Sequence, residues 1–181
     1  NAVVKKKIKK IGVVYRSDFA DIIEAQKAFL EPEGFELVSR EIRKSGPPVN
    51  RQIHRALRDL AYHQNVDAIW LLNDNALLSQ DLLVKSWFPA LKYNRKPILV
   101  GVPSLIAKNL DFGTFAVLPD HEALGGQLAG LVFEMEGMDW SAGDLGLIQP
   151  VSVKKILHVR LAKELLSLEE DKLEGIDELL E

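Results

Sequence analysis

Short apolar runs alternate along this chain with longer stretches in which apolar residues recur every three or four positions. Residues 11–15 (Ile-Gly-Val-Val-Tyr) make the first run. After Ser17 and Asp18, which read as an N-cap pair, Phe19, Ile22, Ile23, Phe29 and Leu30 fall at helical spacing until Pro32 and Gly34 stop it. Residues 35–38 alternate as a second strand. The turn Ser45-Gly46-Pro47-Pro48 places a proline where a helix can open, and Val49, Ile53, Ala56, Leu57, Leu60 and Ala61 then share one helical face. A buried strand over 66–72, a polar turn, a helix and a buried strand over 98–101 follow. Residues 114–118 read as a fifth short strand, and Pro119 and Asp120 cap a helix running to about residue 136. Residues 151–159 are an extended return segment and 160–168 a further helix. The acidic end, 169–181, with Leu173, Leu179 and Leu180, reads as a docked or frayed helix.

Strands that alternate with helices imply βαβ units and a parallel sheet covered on both faces. The predicted fold class is therefore α/β: a doubly wound parallel sheet of about five strands with helices on both faces, wound by the right-handed crossover rule. Three segments are expected. Residues 1–10 are a cloning remnant and basic linker or strand entry, 11–168 the α/β lobe, and 169–181 the acidic helix or tail. The chain opens Asn1-Ala2 without an initiator Met, which leaves room upstream for a secretion signal, a lipid anchor or a whole further domain.

Composition narrows the function classes. At 181 residues, 47% hydrophobic and 27% charged, the chain can bury a real core. A formal charge of -3 gives no bias toward nucleic acid, and the lysines at 5, 6, 7, 9 and 10 lack the interleaved aromatics of a nucleic-acid arm. The absence of cysteine excludes disulfides and thiolate chemistry. No apolar run approaches the roughly 18 residues of a membrane span.

Catalytic machinery is thin. His54, His63, His121 and His158 lie far apart without metal-ligand spacing, and no phosphate loop, nucleophile elbow or dinucleotide fingerprint follows a strand. No catalytic residue, metal or cofactor is expected. Gly125, Gly126 and Gly130 sit inside an apolar helix, where close helix packing explains them better than phosphate binding. A phosphoacceptor receiver domain shares the layout and would use Asp74 and Ser104. It also needs paired acids after the first strand and a lysine after the fifth. Here those strands end Tyr15-Arg16-Ser17-Asp18 and Leu118-Pro119-Asp120, so that reading is rejected.

What remains is a ring of polar residues at strand ends, the edge where open parallel sheets bind ligands. It comprises Arg16, Ser17 and Asp18 after the first strand, Asn73, Asp74 and Asn75 after the third, Ser104 after the fourth and Asp120 after the fifth. Helices starting at Ser17, near Ser104 and at Asp120 would aim backbone N–H groups at this edge, and Arg16 could hold a ligand carboxylate bidentately. Taken singly, each of these residues is better explained by ordinary capping.

The order of motifs resembles a known family. Ile11-Gly12-Val13-Val14-Tyr15 opens the unit, and Val66-Asp67-Ala68-Ile69 runs into Asn73-Asp74-Asn75. Lys96-Pro97-Ile98-Leu99-Val100-Gly101 follows, then Asp120-His121-Glu122-Ala123-Leu124-Gly125. This resembles the substrate-binding proteins of ABC transporters with a type I periplasmic-binding fold, the group that includes tryptophan- and tyrosine-type binders. The likeness spans roughly residues 7–168 and fits the second of the family's two lobes. It departs at Gly113-Thr114-Phe115, where the family is Gly/Ala-rich, and over an irregular stretch at 138–146. The resemblance implies ligand-facing loops at Ser17-Asp18, Asn73-Asp74-Asn75 and the turn 102–104. It also implies a small organic solute as ligand, an ABC permease and a first lobe as partners, and a periplasmic or extracytoplasmic, lipid-anchored setting. A second copy of the chain is a further candidate partner. The expectation is a non-catalytic solute binder. The alternative is a ligand-sensing or interaction domain of a membrane-anchored signalling protein, with the acidic end as its connecting helix.

Overall fold

A computed structural model of the protein describes residues 7–92, 95–141, 148–168 and 173–181. Its strands are β1 Lys10–Arg16, β2 Glu36–Ile42, β3 Ala68–Trp70, β4 Ile98–Val100, β5 Phe115–Pro119, β6 Val153–His158 and β7 Glu178–Leu180. Its helices are α1 Ala20–Leu30, α2 Val49–Arg58, α3 Gln80–Leu82, α4 Phe88–Lys92, α5 His121–Gly137 and α6 Val159–Leu166. The strands form one sheet in the order β2-β1-β3-β4-β5-β6-β7. All pairs from β2 to β5 are parallel, β5 and β6 are antiparallel, and β6 and β7 are parallel again. The α/β, doubly wound reading thus holds, with seven strands in place of about five.

The extra strand at the end corrects the helix expected over 169–181. Residues 169–172 lie outside the described residues, but Glu178–Leu180 pair with Ile156, Leu157 and His158 as β7. Asp177 prepares the pairing: its Oδ2 accepts from the Lys155 N–H at 2.6 Å, and its own N–H donates to the Lys155 carbonyl at 2.9 Å. An edge strand offers unpaired backbone groups, and pairing on β6 outweighs the helical spacing of Leu173, Ile176 and Leu180, which Gly175 interrupts. Gly175 at φ +83 turns the chain before β7, a conformation that costs other residues more. At the other end, residues 1–6 lie outside the described residues, and Asp67 Oδ2 accepts from the N–H groups of Lys9 and Lys10 where β1 begins.

The two sheet faces are unequally covered. On one, α2 and α4 pack Ile53, Leu57 and Leu91 against Val14, Ile69, Ile98, Val100, Ala116 and Leu118, with Trp87 among them. Among the described residues the other has a smaller buried cluster, Ile11, Val13, Ile23 and Leu37, beneath α1. Helix α5, 17 residues long, contributes no buried residue. Among the described residues the close packing expected at Gly125, Gly126 and Gly130 is not seen: a Cβ added at any of them meets no atom within 4 Å. The irregular stretch at 138–146 lies outside the described residues from 142 onward; before that, Asp139 and Trp140 adopt left-handed backbone at φ 52 and 61.

His158 closes β6 fully buried. Burial pushes its imidazole below the ordinary value, aided by the nearby Arg160 charge and opposed by Asp111. The unfolded chain takes up this proton near pH 6.5 while the folded chain resists it, so stability is intact above that pH and falls as the pH drops below it. Urea denaturation across this range should show a declining midpoint below about pH 6.5, and His158→Leu should flatten the slope.

Candidate functional site

The carboxyl ends of β2, β1, β3, β4 and β5 share one edge, because these strands are parallel. Connections after β1 lead outward to β2, whereas those after β3 lead the other way to β4 and β5. The direction therefore reverses between β1 and β3, and a crevice opens at such a switch point. The sequence places Arg16-Ser17-Asp18 on one side of it and Asn73-Asp74-Asn75 on the other.

An ion pair spans this crevice. Arg16 Nε donates to Asp74 Oδ2 at 2.6 Å and Arg16 Nη2 to Asp74 Oδ1 at 2.9 Å. The remaining guanidinium nitrogen, Nη1, donates to Asp18 Oδ2 at 2.7 Å, and the guanidinium lies 5.6 Å from the Phe19 ring centroid. The hydrogen bond to Asp74 raises the Arg16 pKa above its ordinary value and keeps the group charged. Asp74 is only 2% exposed and also accepts from the Ala76 N–H at 3.0 Å, forming an Asx turn. Its backbone carbonyl accepts from the N–H groups of Leu77 and Leu78, both at 2.9 Å.

This geometry alters the roles expected of individual residues. The fork that would hold a ligand carboxylate is already filled by Asp74, so Arg16 orders the Asn73–Asn75 turn. Ser17 and Asp18 make no side-chain cap, and the helix behind them opens as a single 3₁₀ turn, Ser17–Phe19. Asp18 is held instead between Arg16 and Lys44, whose Nζ lies 3.1 Å from Asp18 Oδ1. The helix expected near Ser104 is a 3₁₀ turn of three residues, Pro103–Leu105, too short to carry a dipole of consequence. Asp120 is a true cap. Its Oδ1 accepts from the Ala123 N–H at 3.2 Å and its Oδ2 from Ser152 Oγ at 2.8 Å, and these bonds, Ser152 first, hold its carboxyl below the usual range.

The exposed polar groups at the edge are thus Ser17, Asp18, Asn73, Asn75 and Ser104. Asn73 is tied to the neighbouring strand, its Nδ2 donating to the Gly101 carbonyl at 3.3 Å. A Cβ at 101 would lie 2.5 Å from Asn73 Nδ2, so a larger residue there would push the Asn73 amide aside. Lys44, Phe19 and Gly101 were not legible as site residues. A signal did exist for Lys44, which follows β2 at the same edge. Among the described residues no cluster of three metal-ligating side chains occurs and no helix is long and apolar enough to cross a membrane.

No protein-family model and no curated protein matches the chain. Solved structures do. The ligand-free, open form of CD0873, a substrate-binding protein with adhesive properties from Clostridium difficile, superposes with a TM-score of 0.63 at 18% identity, covering 95% of this chain and 54% of that one. The chain therefore spans about half the length of that protein. A periplasmic ribose ABC transporter protein from Conexibacter woesei gives 0.47 at 14% identity, over 87% of this chain and 53% of its own. An ABC transporter permease structure from the Pseudomonas fluorescens group gives 0.40 at 20%, over 61% and 27%. At those two scores the likeness carries no argument; the first establishes the fold.

Proposed function

We propose that the chain is one lobe of a solute-binding protein that takes a small organic, amino-acid-like solute at the β1–β3–β4 edge and catalyses nothing. The observation that carries this reading is the switch-point crevice, where the exposed side chains of Ser17, Asp18, Asn73 and Asn75 flank a turn immobilised by the Arg16–Asp74 pair. Amide and hydroxyl groups, which donate and accept, beside a carboxylate, which accepts, suit a solute bearing both an amine and a carboxylate. Asp120, engaged with Ser152, stands outside this set as a cap. The fold shared with CD0873 supports the reading.

In this reading residues 11–168 form the lobe, an opposing lobe closes over the solute by hinge motion, and the closed form docks on an ABC permease outside the cytoplasm, with or without a lipid anchor. A half cleft leaves a solute largely exposed, so the chain alone binds weakly. Calorimetric titration of a two-lobe form with amino acids and small carboxylates should reveal one binding class. Asn75→Ala should weaken it about tenfold, the worth of one or two hydrogen bonds. If no solute of the panel binds the two-lobe form, the proposal fails.

A further inference from the structure

A groove of about 720 Å³ lies along the sheet face beside α1. Trp70, Leu72, Leu99, Phe115, Val117 and Leu157 contribute to its wall, and it runs the length of the strands, from Asn73 and Gly101 at the carboxyl edge to Ile8 and Pro97 at the other. A parallel sheet of this winding needs helices on both faces. Among the described residues the face carries α1 at the β1–β2 end, Leu166 and the turn 174–176 at the far end, and no helix across β3 to β5. An apolar helix is what such a face fits.

Helix α5 has that character and is unused. Leu128 is 54%, Val132 49% and Phe133 71% exposed, and Gly125 and Ala129 sit between them on the same outward face. No α5 residue lines the groove. The helix is instead bound to its own return segment: Gln127 Nε2 donates to the Gln149 carbonyl at 2.8 Å, and Gln127 Oε1 accepts from the Val151 N–H at 3.1 Å. With the Asp120–Ser152 bond, these contacts hold α5 and residues 148–152 together as a projecting arm.

We propose that α5 of a second copy occupies this groove, each chain of a twofold dimer giving its arm and receiving its partner's. Every copy carries one apolar arm and one apolar groove, so a reciprocal exchange covers both and closes without leaving an open end. The small side chains at Gly125 and Ala129 let the helix backbone approach the flat sheet closely. A helix of 17 residues is about 25 Å long and 10 Å across, so two arms in two grooves bury on the order of 1,000 Å², the lower bound of a specific interface. The bonds that hold the arm outward need not break for this exchange, whereas closure onto the chain's own groove would swing the arm as a body. The groove meets the polar edge only at Asn73 and Gly101, its walls being the apolar sheet face, so the dimer is tested in the absence of solute.

Light scattering of the full chain over a concentration series should give a dimer mass, and Leu128→Glu should return it to monomer while the far-ultraviolet spectrum is kept, because Leu128 is 54% exposed and outside the buried core. The native chain has no cysteine, so Leu128→Cys in one preparation and Val117→Cys in another can be mixed and oxidised. A disulfide between the two different chains is the expected product. A monomer at all concentrations, a dimer indifferent to Leu128→Glu, or a mixture that forms no bridge between Leu128→Cys and Val117→Cys chains would overturn the proposal.

Discussion

Replacing Arg16 with methionine should cost about 3 kcal/mol of stability, a fall of roughly 10 °C in melting temperature for a domain of this size. The loss comes less from the missing attraction than from the carboxylate left behind. Asp74 is 2% exposed, and without the guanidinium only the Ala76 N–H answers its side chain. A buried charge stripped of its partner is strongly destabilising, and the partial exposure of Arg16 keeps the figure at the low end of the usual range. Removing both charges should be far milder: Arg16→Met with Asp74→Leu should recover most of the loss, since apolar groups of similar size often replace a buried pair at little cost. A thermal-melt double-mutant cycle measures the difference. Near-additive losses would mean that the pair does not hold the crevice together. The same cycle followed by solute titration separates folding from function, because the double variant keeps the strands but loosens the Asn73–Asn75 turn.

The second large effect is expected at Trp87, 1% exposed within the larger core. Its indole Nε1–H donates to the Leu77 carbonyl at 2.9 Å. Trp87→Ala should cost about 3–5 kcal/mol through the cavity it leaves, and it also strands that carbonyl. Trp87→Phe fills most of the volume and loses only the hydrogen bond, so about 1 kcal/mol is expected. Urea titration of both variants tests the ordering, and equal losses would overturn it. The consequence reaches the candidate site, since the Leu77 N–H donates to the Asp74 carbonyl. Trp87 thus clamps the far end of the loop whose near end Arg16 holds, one from the core and one from across the switch point.

The local pattern was enough for most of the fold and for the address of the site. Apolar runs at 11–15, 66–72, 98–101 and 114–118 became β1, β3, β4 and β5, with β1 longer by a residue at each end, β3 and β4 shorter and β5 shifted by one. Helical spacing located α1, α2 and α5, and the parallel winding followed from their alternation. The polar residues at strand ends were legible for the same reason, because period and strand direction together fix which end of a strand meets the crevice.

Which groups those residues bind was not legible, because a charged side chain chooses its partner by distance in space. Arg16 and Asp74 are 58 positions apart, and only the register of β1 beside β3 makes them neighbours and takes the arginine away from a ligand. The C-terminal strand was hidden likewise: three residues gain strand character only because β6 offers them an open edge. Helix α5 marks the same boundary. Its sequence specified an apolar helix with a small-residue face, and periodicity holds no information on what that face meets. Sequence determined the elements and the edge on which the polar groups stand, since both depend on neighbours within a few residues. The tertiary structure alone decided which of those groups are already satisfied and which apolar faces remain uncovered, since burial and pairing are settled between segments far apart in the chain.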